Sequence, residues 1–238
     1  MKILSLECSA SAASCAVIDG DVLLGESFIN IKTTHSQTLL PMTENLLKSL
    51  NLTVADIDAF AIASGPGSFT GVRIGISALK GLCFRANKEC VGVSTLKAMA
   101  YSFLDKDCIV CATMDARCNQ VYNALFTVKC GKVERIREDR AIMCEELKQD
   151  LENILKENDL PVILCGDGAE MFYKKVQGEL NIALASPLLR FQRASSVGYC
   201  ALEELKNGGS VAAENLLPVY LRLPQAEREL KKKQGELK

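Results

Sequence analysis

The chain has 238 residues, 28 Lys plus Arg, 29 Asp plus Glu and a formal net charge of −1. That length suits one large domain or two small ones, and the charge balance excludes a bulk electrostatic hold on nucleic acid or membrane, though not a local basic patch. Hydrophobic residues make up 48 %, which excludes disorder for most of the chain. The single His excludes any two-His metal site. The eleven Cys are odd in number and scattered through apolar runs, which reads as small buried hydrophobes in a reducing compartment rather than a disulfide framework. Cys108 and Cys111 have C-x-x-C spacing, but in a strand-like run where side chains three apart point to opposite faces, so no shared zinc is expected. No signal peptide precedes the first apolar run, and no apolar stretch reaches the roughly 20 residues that span a bilayer. The expected location is cytoplasmic, with no membrane partner.

In chain order, residues 2–8, 13–19 and 22–30 read as strands, the last two joined by Asp19-Gly20, a favoured hairpin pair. Thr33 or Thr34 caps a helix through Leu50, with Leu39, Met42, Leu46 and Leu50 on one face and Leu40 and Leu47 beside it. A strand at 58–63, a Gly-rich loop, a helix from about Gly71 to Ala86, a short strand near 90–93 and a helix from Thr95 to Phe103 complete a βββαβαβα half. The second half restarts the plan. Strands are expected at 108–114, 119–128 and 132–138, then a helix over 145–157 with Leu147, Leu151, Ile154 and Leu155 inward. A strand at 161–165, the turn Gly166-Asp-Gly-Ala169, a helix to about Val176, a short strand at 181–185 and a helix over 195–205 follow. The expected division is residues 1–104, residues 105–223 and a charged tail, 224–238, whose Lys231-Lys-Lys233 reads as a solvated end.

Glu7 and Asp115 close the first strand of each half. A duplicated βββαβα unit with facing acids resembles the actin, sugar kinase and Hsp70 (RNase H-like) α/β architecture, in which such acids hold metal and water around nucleotide phosphates. Fold alone does not give function.

The most distinctive segment is Ala63-Ser-Gly-Pro-Gly-Ser-Phe-Thr-Gly-Val-Arg-Ile-Gly75, between a strand and a helix. Backbone N–H groups of such a loop make an anion nest at a positive helix end. It is no P-loop, because Gly-Lys-Ser/Thr is missing, and after Gly65 and Gly67 the next glycine, Gly71, comes one residue late for a dinucleotide fingerprint. An anion site and a tight structural turn both stay open. In the following helix, Gly71, Gly75, Ala78 and Gly81 are small, and each internal Gly costs about 1 kcal/mol relative to Ala. A close helix backbone, from this chain or another, is expected to offset that. His35 opens the first helix and reads as a local hydrogen-bonding residue. Asp115, Arg117 and Tyr122 are candidate cleft residues on a strand–turn–strand, or else Asp115 and Arg117 are an exposed pair worth about 0–1 kcal/mol.

His35-Ser-Gln-Thr-Leu-Leu-Pro41, Ser64-Gly-Pro-Gly-Ser-Phe-Thr-Gly-Val-Arg-Ile-Gly75, Asp115-Ala-Arg117 with Val121-Tyr122, and Pro218-Val-Tyr-Leu-Arg222 together resemble the bacterial TsaB (YeaZ) family, over essentially the whole chain. The resemblance implies a part in making threonylcarbamoyladenosine at position 37 of tRNAs that read codons beginning with A. It implies a heterodimer with the catalytic relative TsaD, an association with the ATPase TsaE, a homodimer when alone, and only indirect contact with tRNA. The catalytic relative holds a metal with an H-x-x-x-H pair; with one His this chain has no such site, so no catalytic and no metal-binding residues are assigned. A docking surface is expected on the first two long helices, at His35, Leu39, Leu40, Met42 and Leu46 and at Gly71, Arg73, Gly75, Ala78 and Leu82. A vestigial nucleotide cleft is expected at Glu7, Ser9, Gly65, Gly67, Asp115, Arg117, Gly166 and Gly168. Glu7 departs from the family's usual Asp, and only the Gly166–Gly168 turn keeps a nucleotide-turn pattern. The isolated chain is therefore expected to hold no cofactor, with ATP or ADP bound at most weakly or within the complex. The competing readings are an actin-like ATPase using Glu7 and Asp115 and, from the family's older glycoprotease naming, a peptidase.

Overall fold

A computed structural model describes residues 1–223 apart from Lys32. The expected charged tail, residues 224–238, lies outside the described residues. The first half contains β1 (Lys2–Glu7), β2 (Ala13–Asp19), β3 (Val22–Ile29), α1 (His35–Ser49), β4 (Ala59–Gly65), α2 (Phe69–Ala86), β5 (Cys90–Ser94) and α3 (Thr95–Ala100). The second contains β6 (Cys108–Arg117), β7 (Gln120–Lys129), β8 (Lys132–Met143), α4 (Cys144–Glu157), β9 (Val162–Cys165), α5 (Ala169–Val176), β10 (Ile182–Leu184), α6 (Pro187–Arg190) and α7 (Ala194–Lys206). The short α6 was not expected from the sequence, and β8 runs five residues beyond its expected end because Arg135, Arg137 and Arg140 hide the solvent-side pattern of its C-terminal part.

The sheets are ordered β3-β2-β1-β4-β5 and β10-β9-β6-β7-β8. In both, the first three strands are antiparallel and the last two parallel to the first. The second order is the first read backwards with five added to each strand number, so the duplication is one of topology as well as of element order. This is the actin and sugar kinase architecture. Alternating side chains of β6 supply both faces of its sheet: Cys108, Val110, Ala112 and Met114 pack with α3, whereas Ile109 and Cys111 pack with α4 and α5. Cys108 and Cys111 thus point apart, as strand geometry requires.

The expected boundary at 104/105 separates the two sheets but not the packing. Val197, Cys200 and Ala201 of α7 bury against Ile3, Ile18 and Ala61 on the first sheet, so the second half's last helix serves the first lobe. The following segment then straps the lobes together. Leu216 is buried with the first lobe's core. Val219 N–H donates to Ser64 O (2.8 Å), Tyr220 stacks on Phe69 with ring centroids 4.4 Å apart, Leu221 packs against the second lobe's core, and Arg222 donates to the Ala116 carbonyl.

α2 begins two residues before its expected start because Ser68 caps it: its hydroxyl accepts from Gly71 N–H (3.3 Å). Its buried stripe, Val72, Ile76, Leu79 and Cys83, recurs at helical spacing and packs with Leu39, Met42 and Leu47 of α1 over β1, β2 and β4. No helix is long and apolar enough to cross a membrane among the described residues.

Candidate functional site

A cleft of about 520 Å³ opens between the lobes. The loop after β1 contributes Ser9, Ala10 and Ser11, the loop into α2 contributes Gly67 to Thr70, and β6 and β7 contribute Met114 to Arg117 and Tyr122; Asp167, from the turn after β9, lies at the back. Of the expected cleft residues, Ser9, Gly67, Asp115 and Arg117 line it. Gly65, Gly166 and Gly168 do not appear in its wall, and Glu7 is fully buried behind Ser9. Asp115 is exposed two residues before the end of β6 rather than closing it.

The glycines have a different task from the one a nucleotide site would give them. A Cβ at Gly65 would meet the Val219 carbonyl of the strap, and φ +124° there already favours glycine. A Cβ at Gly67 would meet the Ser9 carbonyl and come 2.7 Å from Ser9 Cβ. At Gly166 it would meet the Thr113 carbonyl, and at Gly168 it would sit 2.7 Å from Asp115 N and Met114 C. Each expected phosphate turn is therefore filled by the chain's own backbone. Ser68 N–H, one of the amides an anion nest would use, donates instead to Ser9 O (2.6 Å). The small residues of α2 answer in the same way. Gly71 clears the Cys8 carbonyl, and a Cβ at Gly75 would lie 2.5 Å from Cys8 Sγ and 2.6 Å from Ile62 Cδ1. The expected neighbouring helix backbone is thus replaced by the end of β1 and by β4. A Cβ at Gly81 would meet nothing within 4 Å.

Two carboxylates at the cleft are held in an unusual state. Burial pushes the Glu7 carboxyl up to about 7, an effect that hydrogen bonding from the Ser9 side chain and the Ser9 N–H bond to its Oε1 (2.6 Å) only partly offset; the nearby Asp167 charge raises it further. Burial likewise brings Asp167 to about 6, against the bond it accepts from Gln192 Nε2 (2.8 Å). Gln192 Oε1 is buried without a hydrogen-bond partner. No group of three His, Cys, Asp or Glu side chains is gathered closely enough for a metal ion among the described residues. Asp167 was missed as a site residue; its signal was an acid between two glycines directly after a buried strand.

The expected docking residues divide. His35 is half-buried, and its Nε2 donates to the Ala10 carbonyl (2.7 Å), so it pins the loop after β1. Leu39, Met42, Gly71 and Gly75 are buried, and Leu46, Ala78 and Leu82 pack half-buried against the same core. Leu40 is exposed. Arg73 is exposed but engaged: its Nε donates to Tyr220 Oη (2.6 Å) and its guanidinium lies 5.3 Å from the Tyr220 ring centroid and 5.7 Å from that of Phe69. Phe84, not foreseen, is 89 % exposed on the outer face of α2, on the side of Ser77 and Gly81. An aromatic residue three positions from a cost-bearing glycine was the overlooked signal.

Comparisons with known proteins agree in direction. The model of the family described as "TsaD: tRNA N6-adenosine threonylcarbamoyltransferase" matches residues 23–230. The "tRNA threonylcarbamoyladenosine biosynthesis protein TsaB" of Escherichia coli (strain K12) is 31 % identical over 93 % of this chain and 95 % of its own length. Its namesake in Bacillus subtilis (strain 168) is 28 % identical over 95 % of this chain and 96 % of its own length. Among solved structures, "YeaZ from Pseudomonas aeruginosa" superposes with a TM-score of 0.79 at 28 % identity, covering 92 % of this chain and 99 % of its own. Component A of the (R)-2-hydroxyglutaryl-CoA dehydratase of Acidaminococcus fermentans shares the fold alone, with a TM-score of 0.50 at 12 % identity, over 87 % of this chain and 99 % of its own.

Proposed function

Because the chain belongs to the TsaB family of tRNA threonylcarbamoyladenosine biosynthesis proteins, we propose that within this tRNA modification it is the non-catalytic partner of a TsaD-type catalytic subunit. The observation that carries the reading is the state of the cleft: the turns that would cradle phosphates are packed with the chain's own carbonyls and amides. The sequence adds that a single His leaves no pair for the metal site of the catalytic relative. The neutral overall charge suits a subunit whose chief contact is protein, with tRNA gripped elsewhere and the ATPase TsaE joining the assembly. The isolated chain is a poor nucleotide binder on this reading.

The docking surface is the outer face of α1 and α2, centred on Phe84 with Leu40, Ser77 and Gly81. A phenylalanine held 89 % in water on a well-packed helix costs hydration in the free chain and regains it under a partner. In the absence of the catalytic subunit, a second copy of this chain covers the same face.

The test is reconstitution of the tRNA modification from purified components. Activity that requires this chain, and no activity from the chain alone, is expected. Phe84→Asp should weaken the complex by about 2 kcal/mol, roughly 30-fold in Kd, while leaving the chain's own melting temperature unchanged. Saturable Mg²⁺–ATP binding tighter than about 10 μM to the isolated chain would overturn the reading in favour of an ATPase.

A further inference from the structure

We propose that Cys83 and Cys90 form a reversible disulfide when the chain meets a peroxide, a modification site independent of the chain's place in the complex. Cys83 lies in the last turn of α2, and Cys90 opens β5. Asn87 ends the helix in the left-handed region, at φ 51°, and turns the chain back; the Asn87 and Lys88 N–H groups both donate to the Cys83 carbonyl. The turn carries Cys90 under the helix. Both residues are then buried in one apolar cluster, and their thiols hydrogen-bond to each other. A disulfide needs two sulfurs that neighbouring backbone already holds together, and this contact supplies them.

Other cysteines show what such a pair requires. Cys108 and Cys111 point to opposite faces of β6. Cys108 and Cys165 share a face, but Cys165 stands beside Ala112, four residues along the strand from Cys108. Cys111 and Cys165 are fully buried in the second sheet, and burial pushes both thiols up, Cys111 to about 11. At Cys90 the balance runs the other way. The hydrogen bond from Cys83 and the charge of Lys80, one turn earlier on α2, hold its thiol below the ordinary range against burial and the Glu89 charge, while the Cys83 thiol is pushed up. Cys90 is thereby the nucleophilic thiolate and Cys83 the resolving thiol.

The outer edge of β5 is thinly covered at this point. Cys90 and Val211 exchange two backbone hydrogen bonds, of 3.0 and 2.9 Å, as an isolated bridge, and the Cys90 thiol donates to the Val211 carbonyl at 3.6 Å. Residues 207–209 before it are exposed, and Val211 is half-buried. Opening that bridge is a local event, far cheaper than unfolding, and admits a peroxide. The Cys90 thiolate attacks one peroxide oxygen and the O–O bond breaks. The departing hydroxide takes up the proton the thiol gave up, leaving a sulfenic acid and one water. The Cys83 sulfur then attacks the Cys90 sulfur, its proton leaves with the departing hydroxyl as a second water, and the S–S bond forms. Two thiols have lost two electrons and hydrogen peroxide has gained them. In a reducing compartment such a bond is transient and returns to thiols by exchange with a dithiol. While it lasts, it fastens the last turn of α2 to the sheet edge.

Peptide mass mapping of the full chain tests the site, after brief treatment with hydrogen peroxide and alkylation of the remaining thiols. A peptide pair linked through Cys83 and Cys90 and released by thioredoxin is expected, and Cys90 should be consumed at least about tenfold faster than Cys111 or Cys165. A parallel sample carries C118S/C130S, which removes links between molecules through the two exposed cysteines. Dimedone, which traps sulfenic acids, should label Cys90 in Cys83→Ser and leave Cys83 unlabelled in Cys90→Ser. If the single variants do not fold, the linked peptide and the relative rates in the unaltered chain decide. The proposal is overturned if no Cys83–Cys90 link forms under native conditions, if it forms only in urea, if Cys90 is consumed no faster than Cys111 and Cys165, or if dimedone labels the two folded variants alike. Reconstitution of the tRNA modification reports separately on the partner reading.

Discussion

The turns after β1 and after β6 occupy equivalent places in two lobes of identical topology, and the chain uses them in opposite ways. After β1 the turn is sealed: Glu7 is buried, Ser9 is clamped by the Gly-rich loop, and His35 closes over Ala10. After β6 the turn is open: Asp115 is exposed, and Arg117, Cys118 and Asn119 follow at φ between 54° and 62°, a left-handed run. A duplicated backbone therefore does not bring a duplicated site. One copy's turn has become packing, and only the other still offers its acid to solvent.

That contrast can be broken most forcefully at Gly71. Its Cβ would run into the Cys8 carbonyl, which cannot give way without moving β1. Gly71→Ala should cost about 3 kcal/mol or more, read as a drop in the urea midpoint with an unchanged slope. Gly75, expected from the sequence on the docking surface, belongs with it, since Cys8 and Ile62 fill the space a side chain would need.

The next effect is electrostatic. Glu7 has a folded-state value of about 7 against an ordinary carboxylate range near 4.5. Between those pH values the folded chain holds a proton that the unfolded chain has released, so stability is highest below pH 4.5 on this account and falls as pH rises to 7. The loss is about 3 kcal/mol for this fully buried group. Asp167, the charged neighbour facing it, works in the same direction over the range from 3.8 to about 6. Calorimetric melts at pH 5 and pH 8 should show a higher melting temperature at pH 5. Glu7→Gln should remove most of the difference, whereas Asp115→Asn, in the open turn, should leave it in place.

A smaller effect tests the strap that joins the lobes. Arg73→Ala frees Tyr220 from its hydrogen bond and from the cation–π contact, and should cost about 1 kcal/mol in a chemical denaturation. The smallest effect has the opposite sign. Gly81 lies in the same helix as Gly71 but has open space around it, so Gly81→Ala should stabilise the chain by about 0.5–1 kcal/mol. Two glycines ten residues apart in one helix would then differ in sign, which separates packing from propensity.

Much of the fold was legible locally. Continuous apolar runs marked β6 and β7, which bury both faces, and helical spacing marked α1 and α4, which each bury one. The site was legible in part. Gly67, Asp115, Arg117 and Tyr122 were named from the Gly-rich loop and the strand–turn–strand, and Ser9 from the family resemblance, but Asp167 and Phe84 were not, and Leu39, Met42 and Gly75 were placed on a surface that the structure fills with core. A helix has two candidate faces, and periodicity does not say which of them meets the sheet and which meets a partner.

By itself, the sequence determined the duplicated order of elements, the absence of a His pair and the small-residue character of α2, since composition and spacing are properties of the chain. Only the tertiary structure decided what the glycines were for. Whether a missing Cβ admits a phosphate, a helix or a carbonyl depends on contacts such as Gly67 with Ser9 and Gly65 with Val219, the latter more than 150 residues apart in sequence. The same holds for Glu7, whose proton is held by burial, an environment that exists only once β1, the loop after it and the Gly-rich loop have packed together.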